Sequence, residues 1–86
     1  NRMNDDSLQG LIEFVVKSLV DNPDQVSIRR VSAGEHKVRY ELRVAKEDMG
    51  RVIGKRGRVA NSIRQLLNVA AARQGKQASL DVIDPL

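Results

Sequence analysis

The hydrophobic period of this chain switches from helical to extended and back again, and that order limits the folds open to it. Leu8, Leu11, Ile12, Val15, Val16, Leu19 and Val20 fall at i, i+3, i+4, i+7, i+8, i+11 and i+12. Such spacing makes one apolar stripe on an amphipathic helix. Asp6 or Ser7 can cap its start, and Asn22-Pro23 ends it. Gln25 to Ser32 predicts a strand: Val26 and Ile28 alternate before Arg29-Arg30 breaks the period, as a bulge would. Ala33-Gly34-Glu35-His36 reads as a hairpin turn. The next strand alternates cleanly, with Val38, Tyr40, Leu42 and Val44 turned to a core and Lys37, Arg39, Glu41 and Arg43 turned to solvent.

The helical period then returns. Glu47-Asp48 open a short helix, where acids complement the macrodipole, and it runs to about Ile53. A longer helix covers about Arg58 to Arg73, with Val59, Ile63, Leu66, Leu67 and Ala70 as its buried stripe and Gly75 as its stop. Gln77 to Ile83 closes the chain as a strand with Ala78, Leu80 and Val82 on one face. The order is α-β-β-α-α-β, and three strands with helices on one face form an α+β sandwich. At 86 residues there is room for one modest core, burying roughly 60–65% of the unfolded surface. We expect a tail over residues 1–7 and a single domain over 8–84. Asn1-Arg2 read as a remnant ahead of a native start at Met3.

Between the short and long helices lies Arg51-Val52-Ile53-Gly54-Lys55-Arg56-Gly57-Arg58. Two glycines permit a tight turn and leave no Cβ to block a close ligand. Lys55 and Arg56 place positive charge at its tip, and the amides opening the next helix favour an anion. The charge of the whole chain is concentrated here. Met49 to Leu80 holds seven basic residues (Arg51, Lys55, Arg56, Arg58, Arg64, Arg73 and Lys76) and no acid, while the remainder holds eight basic residues against all eleven acids. A pI near 10.0 favours anionic partners such as RNA, DNA or acidic lipid. Lipid fits less well, because no basic amphipathic helix carries aromatic anchors.

Other chemistries find little support. With no cysteine there is no disulfide, thiolate metal site or cysteine nucleophile, which suits the cytoplasm. The longest apolar run is far shorter than the about 20 residues of a membrane span, and no secretory leader is visible. His36, the sole histidine, falls in a turn, and Asp48, Asp81 and Asp84 do not have metal-ligand spacing. Gly50-x-x-x-Gly54-Lys55 shares the outline of a Walker loop but is one residue short, has Arg56 in place of Ser or Thr, and follows a helix. We assign no catalytic residue, cofactor, metal or small-molecule substrate.

The element order, with Val52-Ile53-Gly54-Lys55-Arg56-Gly57 between the fourth and fifth elements, resembles a KH domain of the bacterial type II arrangement. The stretch from Glu47 to Ala60 is similar to the small stand-alone bacterial KH proteins of the KhpA family, as are Ala70-Ala71-Ala72-Arg73 and the Val-Ile-Asp tail. The resemblance covers about Leu8 to Ile83. It implies a cytoplasmic protein that binds single-stranded RNA and acts as an RNA chaperone or in post-transcriptional regulation. It also implies self-association, or pairing with a larger Jag-type KH partner. In such a domain the phosphates would lie over Gly54, Lys55, Arg56 and Gly57, with Arg58 adding attraction. Val52, Ile53, Val59 and Ile63 are candidates for an aliphatic floor under the bases, and all four also fit a plain core. Arg51 and Arg64 would flank the site or be solvated helix residues.

Phe14 and Tyr40 are the only aromatic residues, too few for stacking platforms, so a single groove should bind weakly and gain from pairing. Two alternatives remain at this stage. One is a KH-fold interaction subunit that dimerises through Leu66, Val69 and the alanine run. The other is a binder of single-stranded DNA.

Overall fold

A computed structural model of the protein describes residues 7–32 and 34–85. Its elements follow the predicted order: α1 (Ser7–Leu19), β1 (Ser27–Ser32), β2 (Lys37–Arg43), α2 (Met49–Ile53), α3 (Arg58–Ala72) and β3 (Gln77–Val82). The Asp6 cap and the Ala33 turn position lie outside the described residues, as does the stretch 1–6. β1 and β2 form an antiparallel hairpin, and β3 joins β2 on its other side in parallel, giving the sheet order β1-β2-β3. A parallel pair cannot be joined by a tight turn. Here α2, the glycine loop and α3 make the crossover, so the loop hangs at one end of the domain between two packed helices.

The core lies between the sheet and the helices. Val38, Tyr40 and Leu42 of the central strand are buried, and above them sit Leu8, Ile12 and Val16 of α1 and Ile63, Leu67 and Ala71 of α3. Each large side chain so buried contributes about 1.5–3 kcal/mol. The strict alternation of β2 is therefore the anchor of the fold. The end of α3 is closed by two bonds, Lys76 N–H to Ala71 O at 2.9 Å and Gly75 N–H to Ala72 O at 3.0 Å. That pairing is a Schellman motif, at the predicted stop.

Three expectations are corrected. No bulge occurs at Arg29-Arg30: β1 pairs with β2 one to one from Ser27↔Arg43 to Ser32↔Val38. Arg30 instead pairs with Tyr40 on an edge strand and stays exposed there. The strand also starts later than Gln25, because Pro23–Gln25 form a 3-10 turn closed by Val26 N–H to Pro23 O. On α3 the fully buried line is Ala60, Ile63, Leu67 and Ala71. Leu66, placed in the stripe by its period, is 46% exposed.

Asp48 differs more in its work than in its position. It does not cap α2 with its side chain. A 3-10 turn, Lys46–Asp48, precedes that helix, and the carboxylate points away to the segment after α1. There it accepts the Asp21 N–H at 3.1 Å, the Asn22 N–H at 3.0 Å and the Asn22 side-chain amide at 3.0 Å. The carboxylate itself is wholly buried. Burial by itself pushes its pKa up, but the Asp21 and Asn22 donors, helped by the Arg51 charge, outweigh that and hold it below its ordinary value. This clamp fixes α2, and with it the glycine loop, against the end of α1.

Candidate nucleic-acid interface

The loop is built from backbone conformations that few residues tolerate. Gly54 has φ 76° and ψ 173°, a region essentially restricted to glycine. It is also crowded, since a Cβ there would lie 2.9 Å from both Cβ and N of Val59. Gly57 has φ 74° and ψ 13° but has space around it, with Asn61 Nδ2 the nearest atom to an added Cβ at 3.9 Å. Between them Arg56 is left-handed at φ 56° and ψ 26°, which costs a non-glycine residue about 1 kcal/mol or more. Gly57 N–H to Gly54 O at 3.1 Å and Arg58 N–H to Lys55 O close the turn. The Lys55 and Arg56 amides precede these bonds and, among the described residues, make no backbone bond of their own.

Lys55, Arg56 and Arg58 are exposed, and among the described residues none of the three is in an ion pair. Arg51 differs: its guanidinium sits 3.3 Å from Asp21, both side chains well exposed, an arrangement worth little and easily exchanged for another anion. Arg64 is half-buried and committed. Its Nε donates to Leu80 O at 3.0 Å and its Nη1 to Asn61 Oδ1 at 3.1 Å, tying α3 to β3.

The four aliphatic candidates separate by burial. Val52 and Ile63 belong to the core, while Ile53 is 37% exposed and Val59 is half-buried behind Gly54. Only Ile53 and Val59 thus offer apolar surface next to the loop. A groove of about 340 Å³ opens between α1 and α3, lined by Val15, Leu19, Val59, Ile63 and Leu66 with Arg58 and Ser62. Phe14, Leu66 and Val69 add exposed apolar surface.

Sequence reasoning missed Asn61, the Leu80 carbonyl and the Asp48 clamp. Gly57, Asn61 and Arg64 stand at i, i+4 and i+7, one helical face, so the first was open to detection; the other two depend on tertiary contact. Arg39 and Arg43, on the outer face of the sheet, neighbour Asp81 at 3.4 Å and Glu41 at 3.9 Å. Among the described residues no group of three or more His, Asp or Glu gathers as a metal site would, and no helix is long and apolar enough to cross a membrane.

Comparison with known proteins places this geometry in a family. The model of the KhpA/KhpB KH domain matches residues 9–82. The RNA-binding protein KhpA of Borreliella burgdorferi is 47% identical over 74 residues, covering 86% of this chain and 89% of that one. KhpA of Clostridium acetobutylicum is 45% identical over 76 residues, covering 88% of this chain and 100% of that one. KhpA of Chlamydia caviae is 40% identical over 77 residues, covering 90% and 97%. No solved structure matches. With a family model spanning the domain and relatives matched over nearly their full length, the chain belongs to the KhpA/KhpB family of KH domains.

Proposed function

We propose that this protein binds single-stranded RNA through its phosphate backbone, held over Gly54–Gly57, and that it has no catalytic activity. The observation that carries this reading is the loop itself. Gly54 and Gly57 hold the turn in conformations that glycine favours, the Lys55 and Arg56 amides can bond phosphate oxygens, and among the described residues Lys55, Arg56 and Arg58 are exposed with no ion-pair partner. Ile53 and Val59 offer an apolar seat beside it. The relatives' name, RNA-binding protein KhpA, agrees. An RNA chaperone or post-transcriptional regulator in the cytoplasm follows from the family resemblance. With no ring to stack on near the loop, one groove binds weakly. Pairing with a second copy, or with a larger Jag-type KH protein, would multiply its effect; the exposed Leu66 and Val69 beside the α1–α3 groove favour that use of the helices.

The test is an anisotropy titration of a labelled single-stranded RNA at two salt concentrations, comparing the wild type with Lys55→Asp/Arg56→Asp. Aspartate tolerates the left-handed backbone at position 56, so the variant should keep its melting temperature. We expect at least a tenfold loss of affinity and a log-log salt slope flatter by about 0.7 for each phosphate contact removed. Equal binding by both proteins would sink the reading. A matched DNA oligonucleotide separates RNA from DNA preference.

A further inference from the structure

We infer that Arg51 is a phosphate ligand held in reserve, and that the Asp21 carboxylate, its partner in the free protein, competes with the RNA backbone for it. The inference rests on the RNA reading above and extends that site to the α1 side of the glycine loop. Arg51 stands on α2 three residues before Gly54, about 4.5 Å along the helix axis at 1.5 Å per residue. Its neighbour Val52 is buried in the core, and Arg51 itself is exposed. Its guanidinium reaches the end of α1, where Nη2 lies 3.3 Å from Asp21 Oδ2. Arg58, just past Gly57, borders the same end of the helix: it lines the α1–α3 groove together with Leu19, the last residue of α1. Two cations from either side of the turn therefore gather at one end of α1.

The contact that holds Arg51 is weak enough to exchange. The two side chains are 58% and 70% exposed, and ion pairs this exposed hold together only weakly in water. Opening the pair leaves the Asp48 clamp intact, because Asp48 accepts from the Asp21 N–H and from Asn22, not from the Asp21 side chain. A phosphodiester has the advantage over the carboxylate. Its two free oxygens suit the guanidinium fork equally well, and it also lies in the field of Lys55, Arg56 and Arg58, exposed and without ion-pair partners among the described residues. Each phosphate contact releases condensed counterions besides. RNA must nevertheless displace Asp21 before Arg51 can bind it. Asp21 is thus an internal competitor that lowers affinity, and it acts only through Arg51.

The experiment titrates labelled single-stranded RNA at two salt concentrations with Asp21→Asn, Asp24→Asn and Arg51→Leu, and with each aspartate variant combined with Arg51→Leu. Asp24 lies in the turn that follows, is exposed, and its replacement changes the net charge by the same amount. Asp21→Asn should tighten binding by up to about fivefold, the range of an exposed ion pair, and Asp24→Asn clearly less. Arg51→Leu should weaken binding and flatten the log-log salt slope by about 0.7, one phosphate contact. With Arg51→Leu present the two aspartate variants should have equal effects, which a merely structural Asp21 would not produce. Equal gains for Asp21→Asn and Asp24→Asn in the wild-type background overturn the inference, as does an unchanged salt slope in Arg51→Leu. The aspartate comparison needs no change at Arg51, so it decides alone if Arg51→Leu melts early. If the two aspartate variants agree while Lys55→Asp/Arg56→Asp loses binding, the exchange fails and the loop reading stands; if the wild type binds no RNA, both fall.

Discussion

The two flanks of α3 are made by one helix and are chemically opposed. Toward α1 it shows Val59, Ser62 and Leu66 over an apolar groove. Toward β3 it shows Asn61 and Arg64, hydrogen-bonded to each other and to the strand edge. Between them the line Ala60, Ile63, Leu67, Ala71 is buried. A helix packed on a sheet hides only one stripe, so the residues on either side of that stripe are left for other partners. The lesson is a division of labour, with one flank suited to an apolar surface and the other to a polar chain. The glycine loop stands at the head of both.

The strongest way to break that arrangement is at its head. Gly54→Ala forces a Cβ onto Val59 in a backbone conformation closed to alanine, and we expect a loss of roughly 2–4 kcal/mol together with RNA binding. Gly57→Ala meets no such obstacle and should cost only about 1 kcal/mol. Equal losses for the two glycines in denaturant unfolding would show that conformation alone, and not the Val59 contact, decides.

Asp48 comes next, because it sets where α2 and the loop stand relative to α1. Asp48→Ala leaves the Asp21 and Asn22 donors without their buried partner and should lower the melting temperature by more than about 5 °C. The group also titrates in a defined direction. Its folded pKa is depressed, so its stabilisation is complete above the unfolded value of about 3.9 and is lost as pH falls through the folded one. Wild type and Asp48→Asn should therefore differ in stability at pH 7 and converge on acidification below about pH 4. A constant gap down to pH 2 would refute the clamp.

The smallest effect on stability belongs to the apolar flank, and it sharpens the comparison most. Leu66→Glu replaces an exposed side chain, so unfolding should change by no more than about 0.5 kcal/mol. If this flank pairs with a second copy, sedimentation should show the variant as a monomer, with RNA affinity reduced to that of a single site. An unchanged association state would remove the helices' role in pairing.

Much of this could be read in advance for physical reasons that are local. The alternation over Val38 to Val44 and the stripe from Leu8 to Val20 are periodicities, and each implies its own element whatever surrounds it. Gly-Lys-Arg-Gly announces a tight cationic turn through its residue types alone. Less legible was the rotation of α3. Val59, Leu66 and Ala70 fit an apolar stripe as well as Ala60 and Ala71 do, and only the position of the sheet decides that the smaller alanines go inward, where helix and strands approach closely. The Arg29-Arg30 pair misled similarly, since an edge strand can keep an arginine exposed opposite Tyr40 without a bulge.

By itself, then, the sequence determined the order of elements, the central strand and the chemistry of the loop, because those depend on neighbours in the chain. Tertiary structure decided what the polar side chains do. Asp48 reaches back 26 residues to Asn22, and Arg64 reaches forward 16 to Leu80. A carboxylate or guanidinium seeks whichever buried backbone group lacks a partner, and which groups those are is settled only once helices and sheet have packed.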